Sequence, residues 1–204
     1  MRAIFIMLLA PALHLASPVS AQTAVPAFDT LLSSPIYQNA VIARARNSVA
    51  WSKHNCEAGS FSIPNSIQIG ALPATNPQGG LISGNWRQSV QASGCGIARK
   101  LNIGVYLTPT GGLTFLSLVP GETLGDADVQ RQAAQVAFSA AMADTPDCRD
   151  GYIDDTELVG PAPVPRQRSA WTELWTLQVC SGTVRVEITY RPEGGGVEIS
   201  SRKR

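Results

Sequence analysis

The sequence predicts an α+β protein built from two duplicated units, each a helix followed by an antiparallel sheet and each stapled by a disulfide. Three observations predict this fold class. A segment around a tryptophan and a cysteine occurs twice, several short runs alternate between apolar and polar residues, and four cysteines follow an export-type leader. We expect a leader at residues 1–21, a first unit at 22–121 and a second unit at 122–204.

The leader has the three parts of a secretory signal peptide. A positive start at Met1-Arg2 precedes a mostly apolar run over residues 3–16, and Val19-Ser20-Ala21 offers a small-residue cleavage site. The apolar run contains Pro11 and is too short to cross a hydrocarbon core of about 30 Å as a helix. An uncleaved membrane anchor is the alternative. We therefore expect a soluble mature chain that begins at Gln22 and lies in the periplasm or outside the cell.

The overall charge excludes one class of partner. The chain has 16 basic and 15 acidic residues, and Arg2 leaves with the leader. A balanced mature chain has no general affinity for nucleic acid or anionic lipid. Nine acidic residues nevertheless lie between Glu122 and Glu157, against two arginines. We expect a solvated acidic face that the basic flanks partly neutralise, and a docking face for a basic partner is the alternative.

The first helix is expected to begin with Ser34 as N-cap and Pro35 at its first position, where the missing N–H costs nothing. Helical spacing of apolar and small residues continues to Ser52. The second helix is expected to begin at Asp126. It should end before Pro146, because the residue preceding a proline is pushed out of the α region.

Short alternating runs mark the strands. They are Ile67–Ile69, Ile103–Val105, Leu113–Phe115 and Val184–Tyr190. Glycine turns at 111–112 and 194–196 suit hairpins. Proline-bearing linkers at 73–80 and 161–165 precede the strands that begin near Trp86 and Trp171. The pattern leaves open whether the two units share one sheet.

The duplication is centred on a tryptophan that lies nine residues before a cysteine in both halves. The overlay pairs Trp86 with Trp171, Gln88 with Glu173, Val90 with Trp175 and Cys95 with Cys180. An exported chain with four cysteines should form two disulfides, for which three pairings exist. The simplest pairing places one bridge in each unit, Cys56–Cys95 and Cys148–Cys180.

The run Trp171–Cys180, followed by Val184–Ile188 and a glycine turn, resembles a module of uncharacterised exported proteobacterial proteins. The first half departs from that module at Gln88 and Val90. The resemblance implies an envelope location and disulfides. It implies no activity.

The common catalytic and metal-binding patterns are missing from the sequence. His54 is the only histidine of the mature chain, so a Ser-His-Asp hydrolase would have to use it, and no Gly-x-Ser-x-Gly elbow accompanies it. We expect His54 to be a polar residue in the last turn of the first helix. The cysteines are better explained as bridges than as thiolates or zinc ligands, and the acidic loop 147–157 does not follow the EF-hand spacing. We expect no cofactor, no metal and no catalytic residue.

The strand that begins at Trp171 carries the remaining candidates, since its odd-numbered residues share one face. A carboxylate between two tryptophans on that face could have a raised pKa through desolvation. Three roles are open for this face: structure, ligand binding and catalysis. The candidate binding residues of the two halves are Trp86, Gln88, Trp171, Glu173 and Trp175.

The preferred hypothesis is a non-enzymatic exported binding or envelope-associated protein, of the protein-interaction or inhibitor type. Its partner would be an envelope protein or a glycan. The alternative is a periplasmic hydrolase that uses carboxylates. In that hydrolase Glu173 would act as the acid, with Asp154, Asp155 or Glu157 as its partner across a cleft.

Overall fold

The structure, a computed structural model, describes residues 26–108, 110–145, 147–160, 162, 169–180 and 182–204. The expected signal peptide at 1–21 and its cleavage site before Gln22 lie outside the described residues. So do Pro146 and most of the linker at 161–165.

The first unit combines three helices with a five-stranded antiparallel sheet. Its helices are α1 (Pro26–Ser33), α2 (Pro35–Arg46) and α3 (Val49–Ser52). Its strands are β1 (Ser60–Ser62), β2 (Ile67–Thr75), β3 (Leu81–Gly94), β4 (Ile97–Leu107) and β5 (Leu113–Ser117). Strands β1 and β2 lie end to end along one side of β3, and β4 and β5 follow on its other side.

The second unit is one helix followed by a four-stranded antiparallel meander. Its elements are α4 (Ala127–Met142), β6 (Gly151–Val159), β7 (Trp171–Val179), β8 (Gly182–Glu193) and β9 (Gly196–Lys203), and the strands pair in chain order. The α+β class is confirmed, and the two units have separate sheets. Each unit places a helix ahead of a meander, while a common origin of the two remains a prediction.

Both predicted helix starts are confirmed, but the first helix is shorter than expected. Ser34 caps α2 by accepting a hydrogen bond from the amide of Tyr37, and Asp126 caps α4 in the same way. The expected continuation to Ser52 is wrong, because the helix stops at Arg46 and restarts at Val49. The hydroxyl of Ser48 turns back to the carbonyl of Ala45 at 2.7 Å, a local bond that competes with a continuous helix.

Each unit has its own apolar core between its helices and one face of its sheet. In the first unit, Tyr37 and Val41 of α2 pack over Val90 and Ile103. In the second unit, small residues of α4 pack against large residues of the sheet. The small residues are Ala133, Ala137 and Ala141, and the large residues are Trp175, Leu177, Ile188 and Tyr190. The alanines let the helix lie close to the sheet, so the large side chains below it are fully enclosed.

Both disulfides form as the simplest pairing predicted, Cys56–Cys95 and Cys148–Cys180. Each ties the segment after a helix to the turn of a hairpin. Cys95 and Cys180 occupy these turns with left-handed backbone, at φ values of 52° and 49°. The linker expected at 73–80 is partly wrong. Strand β2 continues through Pro73 to Thr75, so the turn spans only the residues from Asn76 to Gly80.

Candidate functional site

The five candidate binding residues lie in two separate cores. Trp86 and Gln88 are on β3 and are 3% and 2% exposed, and Glu173 and Trp175 on β7 are both 0% exposed. Trp171 is half-buried and stacks on Tyr190, with the ring centroids 4.6 Å apart. The structure does not bring the two sets together on one surface. Their role in binding remains a prediction, and four of the five are covered in this conformation.

The carboxylate of Glu173 accepts hydrogen bonds from five donors. Oε1 accepts from the amide of Leu124 at 2.8 Å, from the hydroxyl of Thr123 at 3.2 Å and from the indole of Trp171 at 3.1 Å. Oε2 accepts from the indole of Trp175 at 2.8 Å and from the hydroxyl of Tyr190 at 3.1 Å. Five donors fill the acceptor sites of a carboxylate.

This burial removes the support for Glu173 as a catalytic acid. A general acid must reach the group that it protonates, and Glu173 has no exposed surface and is bonded to a backbone amide. The proposed carboxylate partners do not face it. Asp155 pairs with Thr176 and Glu157 with Leu174, so both side chains project from the opposite face of the sheet. Asp154 is bonded to residues of the first unit.

Gln88 occupies the matching position in the first unit but has different partners. Its carbonyl accepts from the hydroxyl of Tyr37 at 3.3 Å, and that hydroxyl accepts from the indole of Trp86 at 2.9 Å. Its amide group donates to the carbonyls of Pro64 at 3.2 Å and of Ser89 at 3.3 Å. Gln88 therefore works as a donor and an acceptor, whereas Glu173 works as an acceptor only. Burial raises the pKa of Tyr37, so its hydroxyl stays protonated.

A hydrogen-bonded clamp joins the two units through the linker between β5 and α4. Arg87 on β3 donates to the carbonyls of Thr123 and Gly125. Glu173 on β7 binds the hydroxyl of Thr123 and the amide of Leu124. Burial lowers the pKa of Arg87, and the nearby charge of Glu173 opposes that effect. Because Glu173 binds both Thr123 and Leu124, it holds this part of the linker in place.

The same linker passes close to β6 at Gly121. Its φ is +83°, and a Cβ there would lie 2.2 Å from the carbonyl oxygen of Thr156. The hydroxyl of Thr156 in turn donates to the carbonyl of Pro120. Only glycine combines this left-handed backbone with so close an approach.

A second contact between the units centres on Asp154. Its Oδ1 lies 3.0 Å from Nε2 of His54, and its Oδ2 accepts from Arg99 at 2.7 Å. The three side chains are 20% exposed or less. The expected place of His54 in the last helical turn is wrong, because α3 ends at Ser52 and the imidazole contacts the other unit. No local pattern could show this contact, since His54 and Asp154 are 100 residues apart.

The acidic segment is paired with basic residues from outside it. Besides Arg99 with Asp154, the pairs are Lys100 with Glu122, Lys203 with Asp144 and Lys53 with Asp150. This arrangement matches the expected neutralisation by the basic flanks. The alternative is an acidic docking face for a basic partner. The ion pairs leave fewer unpaired carboxylates for such a face.

Three exposed large apolar side chains lie on a hairpin that the sequence interpretation missed. We call residues 69–84, from β2 through the turn into β3, the β2–β3 arm. None of its residues is buried, and it carries Leu72, Ile82 and Ile69 with exposed fractions of 67%, 41% and 38%. The sequence did contain a signal, because no charged residue lies between Glu57 and Arg87.

The side chain and the backbone of Asn76 together hold the turn of this arm. The side-chain carbonyl oxygen of Asn76 accepts from the amides of Gln78 at 3.1 Å and Gly80 at 2.8 Å. The backbone amide of Asn76 also donates to the carbonyl of Gly80. At the base of the arm, the side chain of Asn85 accepts from the amide of Ala71 at 3.1 Å. The arm is therefore ordered at both ends.

No protein-family model, no curated protein and no solved structure matches this chain. Within the ranges that the structure describes, no helix is long and apolar enough to cross a membrane.

Proposed function

We propose that the chain is a non-enzymatic exported binding protein that inserts its β2–β3 arm into an uncharged, apolar cleft of an envelope protein. The observation that carries the proposal is the exposure of Ile69, Leu72 and Ile82 on one hairpin without charged residues. Exposed apolar side chains that share one element can mark an interaction surface, and charged residues are depleted from the cores of interfaces. An uncharged arm therefore favours an uncharged partner surface.

The build of the arm favours insertion over strand addition. Pro73 lies in β2 and the pairing of β2 with β3 contains three register shifts, which disrupt the edge that an added strand would need. The turn held by Asn76 is already in a defined conformation. Little conformational entropy is then lost when a partner binds it, as in inhibitors of other proteins.

Export is the second part of the proposal. Two disulfides are typical of oxidising compartments such as the periplasm or the cell exterior. The expected signal peptide would be removed before Gln22. Intact-mass measurement of the protein from periplasmic and medium fractions tests this. We expect a mass that corresponds to residues 22–204 with four oxidised cysteines, and a full-length reduced chain in the cytoplasm would contradict export.

The binding proposal is tested by capture from the envelope fraction under non-reducing conditions. Three baits are compared: wild type, the arm variant Leu72→Ser with Ile82→Ser, and the control Ile36→Ser. Ile36 is 85% exposed and lies on α2, which is not part of the arm. We expect one protein to be retained by wild type and by the control, and lost with the arm variant.

The captured protein is then purified and titrated against the same three baits by calorimetry. A loss of affinity of tenfold or more in the arm variant alone supports the proposal, in line with two truncated interface residues. Equal affinity for the arm variant and the control would overturn the arm as the binding element. Far-ultraviolet circular dichroism checks that all three baits have the same fold.

A further inference from the structure

A cavity of about 290 Å³ lies where the two units meet. The first unit contributes the start of α3, part of β4 and the end of β5, and the second contributes α4 and β6. Its walls include Val49, Leu101, Val119, Phe138, Tyr152 and Ile153. None of the residues that line it is charged.

The polar groups of the cavity wall are mostly bonded to the protein itself. Asn102 donates to the carbonyls of Val119 and Gly121 and accepts from Ser89, and the hydroxyl of Ser48 donates to Ala45. The hydroxyls of Tyr152 and Ser117 are different, since neither takes part in any of the side-chain hydrogen bonds between described residues. They are therefore the side-chain polar groups of this wall that are left to bind a ligand.

The size and charge of the cavity define what it can hold. An apolar cavity of about 150 Å³ is enough for benzene, and drug-sized ligands use roughly 300–1,000 Å³. A charged ligand would lose its hydration without gaining an opposite charge, which is costly. Val49 at the mouth is 54% exposed and extends the apolar wall toward solvent.

We propose that this cavity binds a small neutral molecule, of the size of a substituted single ring or a short acyl chain, with one polar group that hydrogen-bonds to Tyr152. The site is distinct from the β2–β3 arm, and the proposal does not depend on a protein partner. It makes the junction of the two units a ligand site as well as a packing contact.

The test uses the full mature chain with both disulfides intact and three probes of one ring: benzyl alcohol, benzoate and benzylammonium. Binding is measured by ligand-observed NMR with a competition series. We expect saturable one-to-one binding of benzyl alcohol, at least about tenfold tighter than that of either charged probe. No saturable binding, or equal binding of all three probes, would overturn the proposal.

Two matched variants locate the site. Val49→Trp fills the mouth of the cavity, and Ile36→Trp places the same side chain at a position that is also exposed but does not line it. Val49→Trp should weaken benzyl alcohol binding at least about tenfold, while Ile36→Trp should leave it unchanged. Equal effects of the two variants would rule out this cavity.

A third variant tests the polar contact. Tyr152→Phe should weaken benzyl alcohol about fivefold and leave toluene unchanged, because only the alcohol can hydrogen-bond to the hydroxyl. Equal changes for the two probes, or none, would overturn the role of Tyr152. Thermal unfolding of each variant without probe separates loss of binding from loss of fold.

Discussion

Arg87 in the first sheet and Glu173 in the second bind the same short segment of the linker, Thr123 to Gly125, and both contact Thr123. Arg87 donates hydrogen bonds to two backbone carbonyls, and Glu173 accepts hydrogen bonds from a hydroxyl and a backbone amide. Backbone donors and acceptors of a buried linker need partners, and the two units supply them from different sheets. The contact thus fixes the linker and the two sheets relative to each other.

Glu173→Gln should destabilise the protein by about 2–4 kcal/mol, although glutamine stands at the matching position 88. The side-chain NH2 group of a glutamine at position 173 would face the hydrogen-bond donors of Trp171, Trp175 and Tyr190. Two donors cannot form a hydrogen bond with each other, so part of this network would be lost. The free energy of unfolding is measured by urea titration. Glu198→Gln, an exposed change of the same kind on β9, should leave it unaltered.

Gln88→Glu should also destabilise the protein by about 2–4 kcal/mol, because a buried carboxylate would face the carbonyls of Pro64 and Ser89. Gln91→Glu at an exposed position of β3 is the control, with an expected change within about 0.5 kcal/mol. Combining Gln88→Glu with Glu173→Gln should add the two losses. A double variant as stable as wild type would contradict separate roles for the two side chains.

Asp154→Asn should destabilise the protein by about 1.5–3 kcal/mol, since it removes a charge that Arg99 and His54 bind at a largely covered site. Asp144→Asn is the matched control. Its partner is Lys203, both side chains are exposed, and Lys203 lowers the pKa of Asp144. Exposed ion pairs contribute little to stability, so urea titration should show no measurable change in the free energy of unfolding of this control. Equal results for the two variants would contradict the junction role of Asp154.

Local rules were enough to predict part of this fold. Ser34 and Asp126 begin helices because each has a short side-chain acceptor ahead of a helical pattern. The glycine turns likewise predicted the hairpins that end β4 and β8. The alternation around Glu173 correctly gave the residues that share its face, but not what covers that face. Alternation cannot distinguish a face under a helix from one that meets solvent.

The junction between the units depended on information that a single sequence lacks. Arg87, Thr123 and Glu173 are brought together by packing across two sheets, and nothing in their spacing indicates it. The β2–β3 arm differs, because the absence of charge between Glu57 and Arg87 is visible in the sequence. The missing charge alone does not distinguish a buried segment from an exposed one, and the exposure of Leu72 and Ile82 identifies an apolar surface.

Removing either disulfide should lower the free energy of unfolding by about 2–5 kcal/mol. The bridged residues are separated by 39 and 32 positions, so the chain-entropy model predicts similar losses. The variants are Cys56→Ala with Cys95→Asn, and Cys148→Ala with Cys180→Asn. Asparagine tolerates the left-handed backbone at the hairpin turns, so the loss reports the bond. A pair whose removal costs nothing in urea titration would contradict a stabilising role for that bridge.

The stability of the protein should fall above pH 10, and Tyr190 should carry part of that fall. Burial, followed by the charge of Glu173, raises the pKa of Tyr190. The unfolded chain therefore loses the phenolic proton near pH 10 while the folded chain keeps it, which favours unfolding as pH rises. One such group contributes a loss of up to about 1.4 kcal/mol per pH unit.

Tyr190→Phe removes the hydrogen bond to Glu173, so the variant should be less stable than wild type at pH 8. It also removes the titrating hydroxyl, so the variant should lose less stability than wild type between pH 10 and 11.5. Urea titrations across that range give both values, and tyrosinate absorbance follows ionisation directly. Tyr152→Phe is the comparison, because burial raises the pKa of Tyr152 as well, but its hydroxyl is far less enclosed and does not contact Glu173. Its effect on the alkaline slope should therefore be smaller than that of Tyr190→Phe. Since lysine titration is common to all three proteins, it cancels in the comparison. The same alkaline slope in Tyr190→Phe and in wild type would contradict a raised pKa at Tyr190.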